Sequence, residues 1–99
     1  MAQYDLYAEP GDGGYLMDVQ SDLLHVVTTR VVVPLLQERL TPKPFKRMNP
    51  VFEIFGVRHV LATQLLAAAP SSYLRTPVGN LRDSADTITA ALDMVFHGF

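Results

Sequence analysis

Tyr15-Leu16-Met17-Asp18-Val19-Gln20 is the stretch that decides the fold. Tyr15, Met17 and Val19 alternate with Leu16, Asp18 and Gln20, a period of two that predicts a strand. One face of it is expected to be core, and the other, carrying Asp18 and Gln20, to be wetter. Just upstream, Gly11, Asp12, Gly13 and Gly14 form a turn cluster, and Gln3 to Ala8 before it carries tyrosines and aliphatics suited to a pleated surface. The two flanks read as a hairpin.

Downstream, Val26 to Leu36 is too β-branched for a comfortable helix. Pro34 cannot donate to a sheet ladder, so the segment reads as a strand at an edge, or one that ends irregularly at the proline. From Arg39 to Pro50, prolines 42, 44 and 50 sit among Lys43, Lys46 and Arg47, a composition expected to give a long, exposed and flexible loop. Val51 to Phe55 and Val57 to Thr63 flank Gly56 and predict a second hairpin around a tight turn. Gln64 to Ala69 is ambiguous, helical by propensity but too short before Pro70. Ser71 to Val78 is read as a further short strand.

The clearest helix closes the sequence. Ile88, Leu92, Val95 and Phe96 recur along one stripe, Asp83 or Ser84 is the expected N-cap, Asp86 lies in the first turn, and Gly98 is the stop. Several strands followed by one helix predict a mostly β (α+β) architecture, a small antiparallel sheet or barrel with the helix at one side.

With 99 residues, the chain has room for a single domain, 1–99. Hydrophobic residues at 48% and charged residues at 18% exclude both a disordered tail and a membrane protein. The formal net charge is −2, and lysines and arginines read as scattered, so nucleic acid is not expected as a direct ligand. The absence of cysteine removes disulfides and thiol chemistry, leaving the core and self-association to hold the fold. Neither a signal sequence nor an apolar run of membrane length is seen, so the expected compartment is the cytoplasm.

Residues that carry chemistry are sparse. His25, His59 and His97 lack the close spacing of metal ligands, and His59 reads as a structural histidine in a strand. Asp18, Gln20 and Asp22 resemble the start of a calcium loop but lack its later glycine and glutamate, so they read as strand exit and turn, with Ser21 or Asp22 bonding local backbone. Ser21, Ser71, Ser72 and Ser84 lack a nucleophile elbow, and Gly11 to Gly14 has no phosphate-cradling sequel. Lys43, Phe45, Lys46 and Arg47 have the composition of a single-strand nucleic-acid patch, but a solvated loop is favoured because three charges release few counterions. At the end of the helix, Val95, Phe96, His97, Gly98 and Phe99 place rings where nothing downstream covers them. They read either as core with Phe99 folded back, or as a projecting contact patch.

The runs Tyr15 to Leu24, Thr29 to Leu35 and Ala91 to Phe99 together resemble the CcdB family of toxins that poison DNA gyrase. The resemblance extends over essentially the whole chain. It implies an SH3-like barrel with a small additional antiparallel sheet and one C-terminal α-helix. It also implies a homodimer whose interface includes Leu92, Val95 and Phe96. The implied activity is non-catalytic: binding the DNA gyrase A subunit and trapping the cleaved gyrase–DNA complex. A CcdA-type antitoxin neutralises family members, and no cofactor is implied.

The gyrase contact carries over to His97, Gly98 and Phe99. At the first of these the family has tryptophan, and imidazole is a weaker cation–π partner than indole. The antitoxin contacts are not placed residue by residue; the wet faces of the first strands and the Arg39 to Arg47 loop are the candidate surfaces. Two other readings remain. One is an endoribonuclease toxin on the same barrel, for which His25, Arg30 and Asp18 or Asp22 are the only rough candidates. The other is a homologue that no longer poisons gyrase.

Overall fold

The glycine-bearing turns do what their composition dictates. In a computed structural model that describes residues 2–9, 11 and 13–98, β1 (Asp5–Ala8) pairs antiparallel with β2 (Tyr15–Asp18), Leu6 opposite Met17. Asp12 of the first turn cluster lies outside the described residues. The second hairpin joins β4 (Val51–Ile54) to β5 (Val57–Leu61), with Ile54 opposite Val57. Its two-residue loop is Phe55 and Gly56, at φ 50° and 81°. Positive φ at both positions is the type I′ geometry whose twist matches a hairpin.

These pairs hang on β3 (Thr29–Gln37), which is antiparallel to β2. Contrary to the sequence expectation, β3 is no edge: it is the spine of the sheet. Its first half pairs with β6 (Ala67–Pro70), its last three residues pair with β5, and β7 (Gly79–Asn80) adds to the outer side of β1. The order is β4-β5-β3-β2-β1-β7, with β6 beside the start of β3, and the antiparallel sheet curls into a half-barrel. The β4–β5 hairpin is the small extra sheet, continuous with the barrel through β3.

Pro34 fits this central strand for a local reason. The Val31 carbonyl accepts the Val19 N–H at 3.0 Å, whereas the Pro34 carbonyl accepts from the Ala62 N–H at 2.9 Å. Residues alternate sides along a strand, so the proline nitrogen points away from β2 and into the seam between β6 and β5. A missing donor is tolerated there.

The C-terminal helix α1 (Ala85–His97) packs on one face of this sheet. Ile88 and Ala91 join Leu6, Met17, Val19, Val33, Leu35, Ile54 and Leu61 in the main core. The second face carries a smaller cluster of Tyr7, Val32, Ala69 and Leu74, with Leu16 against it. Both faces of β2 are therefore packed, which corrects the expectation of a wet side: Asp18 is fully buried and Gln20 nearly so. Ser71–Tyr73 is a 3₁₀ turn rather than a strand, and the strand it leads to is the short β7. Gln64 to Ala69 divides into a 3₁₀ turn at Thr63–Leu65 and the start of β6.

The helix start also differs in detail. Ser84 stands at the N-cap, but its side chain makes no capping hydrogen bond. The chain enters through a 3₁₀ turn, Arg82–Ser84, in which the Ser84 N–H donates to Leu81. At the other end Gly98, at φ 79°, turns into the left-handed region while its N–H reaches the Met94 carbonyl at 3.1 Å. Glycine is the residue that makes this stop without strain.

Candidate functional site

Two regions carry the polar and exposed apolar residues singled out by the sequence. The first is the end of α1. Its burial falls off along the axis: Ile88 and Ala91 are fully buried, Leu92 and Val95 are half-buried, and Phe96 is 63% exposed. Leu92 packs partly against the main core. His97 and Gly98 are exposed, and Phe99 lies outside the described residues.

The second region is where β2 leaves the sheet. Arg30, only 1% exposed, donates from Nε to Asp18 Oδ2 at 2.7 Å, with Nη2 at 2.7 Å from the same oxygen. Nη2 also donates to the Gln20 carbonyl at 3.2 Å and lies 3.8 Å from Asp22 Oδ1. Asp18 Oδ1 accepts the Gln20 N–H, and Gln20 Oε1 accepts the Val31 N–H, both at 3.0 Å. Burying two charges is costly, and this arrangement offsets the cost with direct contact plus hydrogen bonds to the remaining polar atoms.

The knot fixes the loop above it. Ser21 Oγ accepts the Leu23 N–H, the local turn bond expected of this stretch, whereas Asp22 Oδ1 accepts the N–H of the distant Gln3 and ties the loop to the N-terminal segment. The loop so held presents Leu23 at 88% and Val26 at 78% exposure. A lone arginine inside a β-branched run, facing a lone aspartate in the neighbouring strand, was the signal for this pair. Reading each residue's polarity singly misses it.

The remaining candidates separate. His59 is a buried structural histidine: Nδ1 lies 2.9 Å from the Val57 carbonyl oxygen, Nε2 3.1 Å from that of Gly13, and the ring stands edge-on to Tyr15. His25 is exposed, with Nδ1 3.3 Å from the Asp22 carbonyl oxygen. Arg30 is held by Asp18 in the interior, so it is not placed to clamp a phosphate in an open site. Among the described residues no group of histidines and acids could hold a metal ion, and no helix is long and apolar enough to cross a membrane.

The match to known families settles what this arrangement belongs to. The family model described as CcdB protein covers residues 3–98. The chain belongs to the CcdB family. It is accordingly a toxin of the toxin–antitoxin kind, and the match takes in both the strand-exit knot and the exposed helix end. Within this CcdB-family chain the sequence expectation for the helix stripe needs one addition: Ala91, too small to register as apolar periodicity, is the second fully buried side chain of α1.

Proposed function

We propose that this CcdB-family chain binds the DNA gyrase A subunit through His97, Gly98 and Phe99 and traps the cleaved gyrase–DNA complex, making and breaking no bond of its own. In this reading it acts as a homodimer joined through Leu92, Val95 and Phe96, in the cytoplasm, and a CcdA-type antitoxin neutralises it. The observation that supports it best is the exposed end of α1, where an exposed phenylalanine precedes a left-handed glycine. Apolar rings on a fixed helix end make contacts at low entropic cost.

The test is to incubate the purified chain with gyrase, supercoiled DNA and ATP, and to count linear DNA after protease treatment. Trapped double-strand breaks are expected. Apart from its chain neighbours, no atom of the described residues lies within 4 Å of a Cβ placed on Gly98, but the φ of 79° strains any side chain except one tolerant of the left-handed region. Gly98→Glu is therefore expected to abolish trapping while the barrel stays folded, and Gly98→Asn, which keeps the turn, is the control for backbone strain. Full trapping by Gly98→Glu removes the helix end from the proposal.

A further inference from the structure

His59 faces one acceptor more than a neutral imidazole has protons for. The ring is 1% exposed, and both of its nitrogens meet carbonyl oxygens, Nδ1 that of Val57 at 2.9 Å and Nε2 that of Gly13 at 3.1 Å. A carbonyl only accepts, so each contact needs an N–H from the ring. Neutral imidazole carries one such N–H and imidazolium carries two. Opposite His59 on β3, the Gln37 Oε1 is a further buried acceptor with no hydrogen-bond partner among the described residues.

The two contacts are unequal. Val57 lies two residues back on the same strand, so its carbonyl travels with the ring. Gly13 is 46 residues away, in the turn between β1 and β2, and its contact clasps the first hairpin to the second. The turn is close against the groups that hold it, since a Cβ placed on Gly13 would collide with the Gln37 side-chain amide. It is also free to move: Gly11 and Gly13 sit at φ 110° and 78°, and glycine crosses between such conformations at little cost.

From this we infer that His59 is a pH-operated clasp between the two hairpins. As imidazolium it donates to both carbonyls and holds the turn down. On giving a proton to solvent the ring keeps Nδ1–H for Val57, the shorter and local contact, and sets the Nε2 lone pair against the Gly13 oxygen. The two acceptors repel, and the exposed Gly13 lifts its carbonyl to water. The groups facing the ring are Tyr15 from β2, edge-on with centroids 5.1 Å apart, Gln37 from β3 and Phe52 from β4. Glu53 and Arg58, one register position along, alternate to the other side of the hairpin, where Arg58 pairs with Glu38 of the 3₁₀ turn Glu38–Leu40. The first turn brings the acids Glu9 and Asp12, the latter outside the described residues. His59 forms no ion pair among the described residues. The inference does not rest on the gyrase reading.

The test follows the imidazole nitrogens of the ¹⁵N-labelled intact chain by NMR between about pH 5 and pH 8. Both ring nitrogens of His59 are expected to be protonated at the acid end and Nδ1 alone at the other. The Gly13 and Gly14 amide shifts are expected to move with the same midpoint. Exchange of the Glu9 amide, which donates to the Gly14 carbonyl at 3.0 Å, is expected to rise about tenfold beyond its intrinsic pH dependence. His59→Gln, which has no titrating ring, is expected to abolish that dependence, whereas His25→Gln, His97→Gln, Glu9→Gln and Asp12→Asn are expected to keep it. Should His59→Gln fail to fold, the wild-type titration decides alone. A neutral ring protonated at Nε2, a ring that does not titrate in this range, a turn indifferent to the titration, or a pH dependence that survives His59→Gln or vanishes in any of the other four variants overturns the inference.

Discussion

Among the loops of this protein that present apolar side chains to solvent, two are held in place by different means. Residues 21–28 sit above a buried ion pair, Asp18 with Arg30. Residues 39–48 start beside an exposed ion pair, Arg58 with Glu38, and are tied down at their far end by a neutral, buried amide, Asn49, that spends its hydrogen bonds on backbone and on Gln64. The charged fastening is the less forgiving. Removing Arg30 leaves Asp18 buried without its counterpart, and removing Asp18 leaves Arg30 only the exposed Asp22 at 3.8 Å, whereas removing the amide leaves only neutral groups unsatisfied.

That contrast is broken most directly by Asp18→Ala or Arg30→Ala, each expected to cost about 3–5 kcal/mol of folding stability in urea denaturation. Asn49→Ala is expected to cost about 1–3 kcal/mol, with faster amide exchange at Phe45 and Leu61. Costs of equal size would show that burial rather than charge sets the strength of the two fastenings.

The second face of the sheet sharpens the point with a buried group that is at most weakly fastened. The Tyr7 hydroxyl is buried and has no hydrogen-bond partner among the described residues. Burial first, then the Asp5 and Asp18 carboxylates, push its pKa up to about 12. A group raised in the folded state gives a stability contribution that is complete below its unfolded value near 10 and lost as pH climbs through the folded one. Stability is therefore expected to fall between pH 10 and 12, and Tyr7→Phe to flatten that limb of the curve without loss at neutral pH. The smallest effect belongs to the exposed pair. Hydrogen bonding from Arg58 holds the Glu38 carboxyl below its usual range, so its contribution is present at neutral pH and fades on acidification, but solvent and salt screen it. Glu38→Gln is expected to shift an acid titration of stability barely measurably.

Both hairpins and the closing helix were legible because turn chemistry and helical period are local properties: Gly56 and the glycines at 11, 13 and 14 announce reversals in any context. The centrality of β3 was not legible. Whether a proline is admissible in a strand depends on which strands flank it, and Pro34 is admitted by a seam that only the tertiary arrangement creates. The ion pair was hidden for a related reason, since alternation assigns a polar residue to the wet side and has no term for two polar residues satisfying each other. Of the candidate site, the exposed Phe96, His97 and Gly98 follow from a helix that outruns the sheet beneath it. The cluster of Lys43, Lys46 and Arg47 beside Phe45 was legible as composition, because the residues stand together in the sequence.

The proline at the junction of β5 and β6 has a further consequence. If β3 slid by one residue against its neighbours, the ring would face β2, where the ladder requires a donor, and each side chain of the strand would change sides. Pro34 thus works as a keying pin that admits one alignment of the barrel's longest strand, and a chain carrying valine there would assemble with less certainty about which alignment to keep.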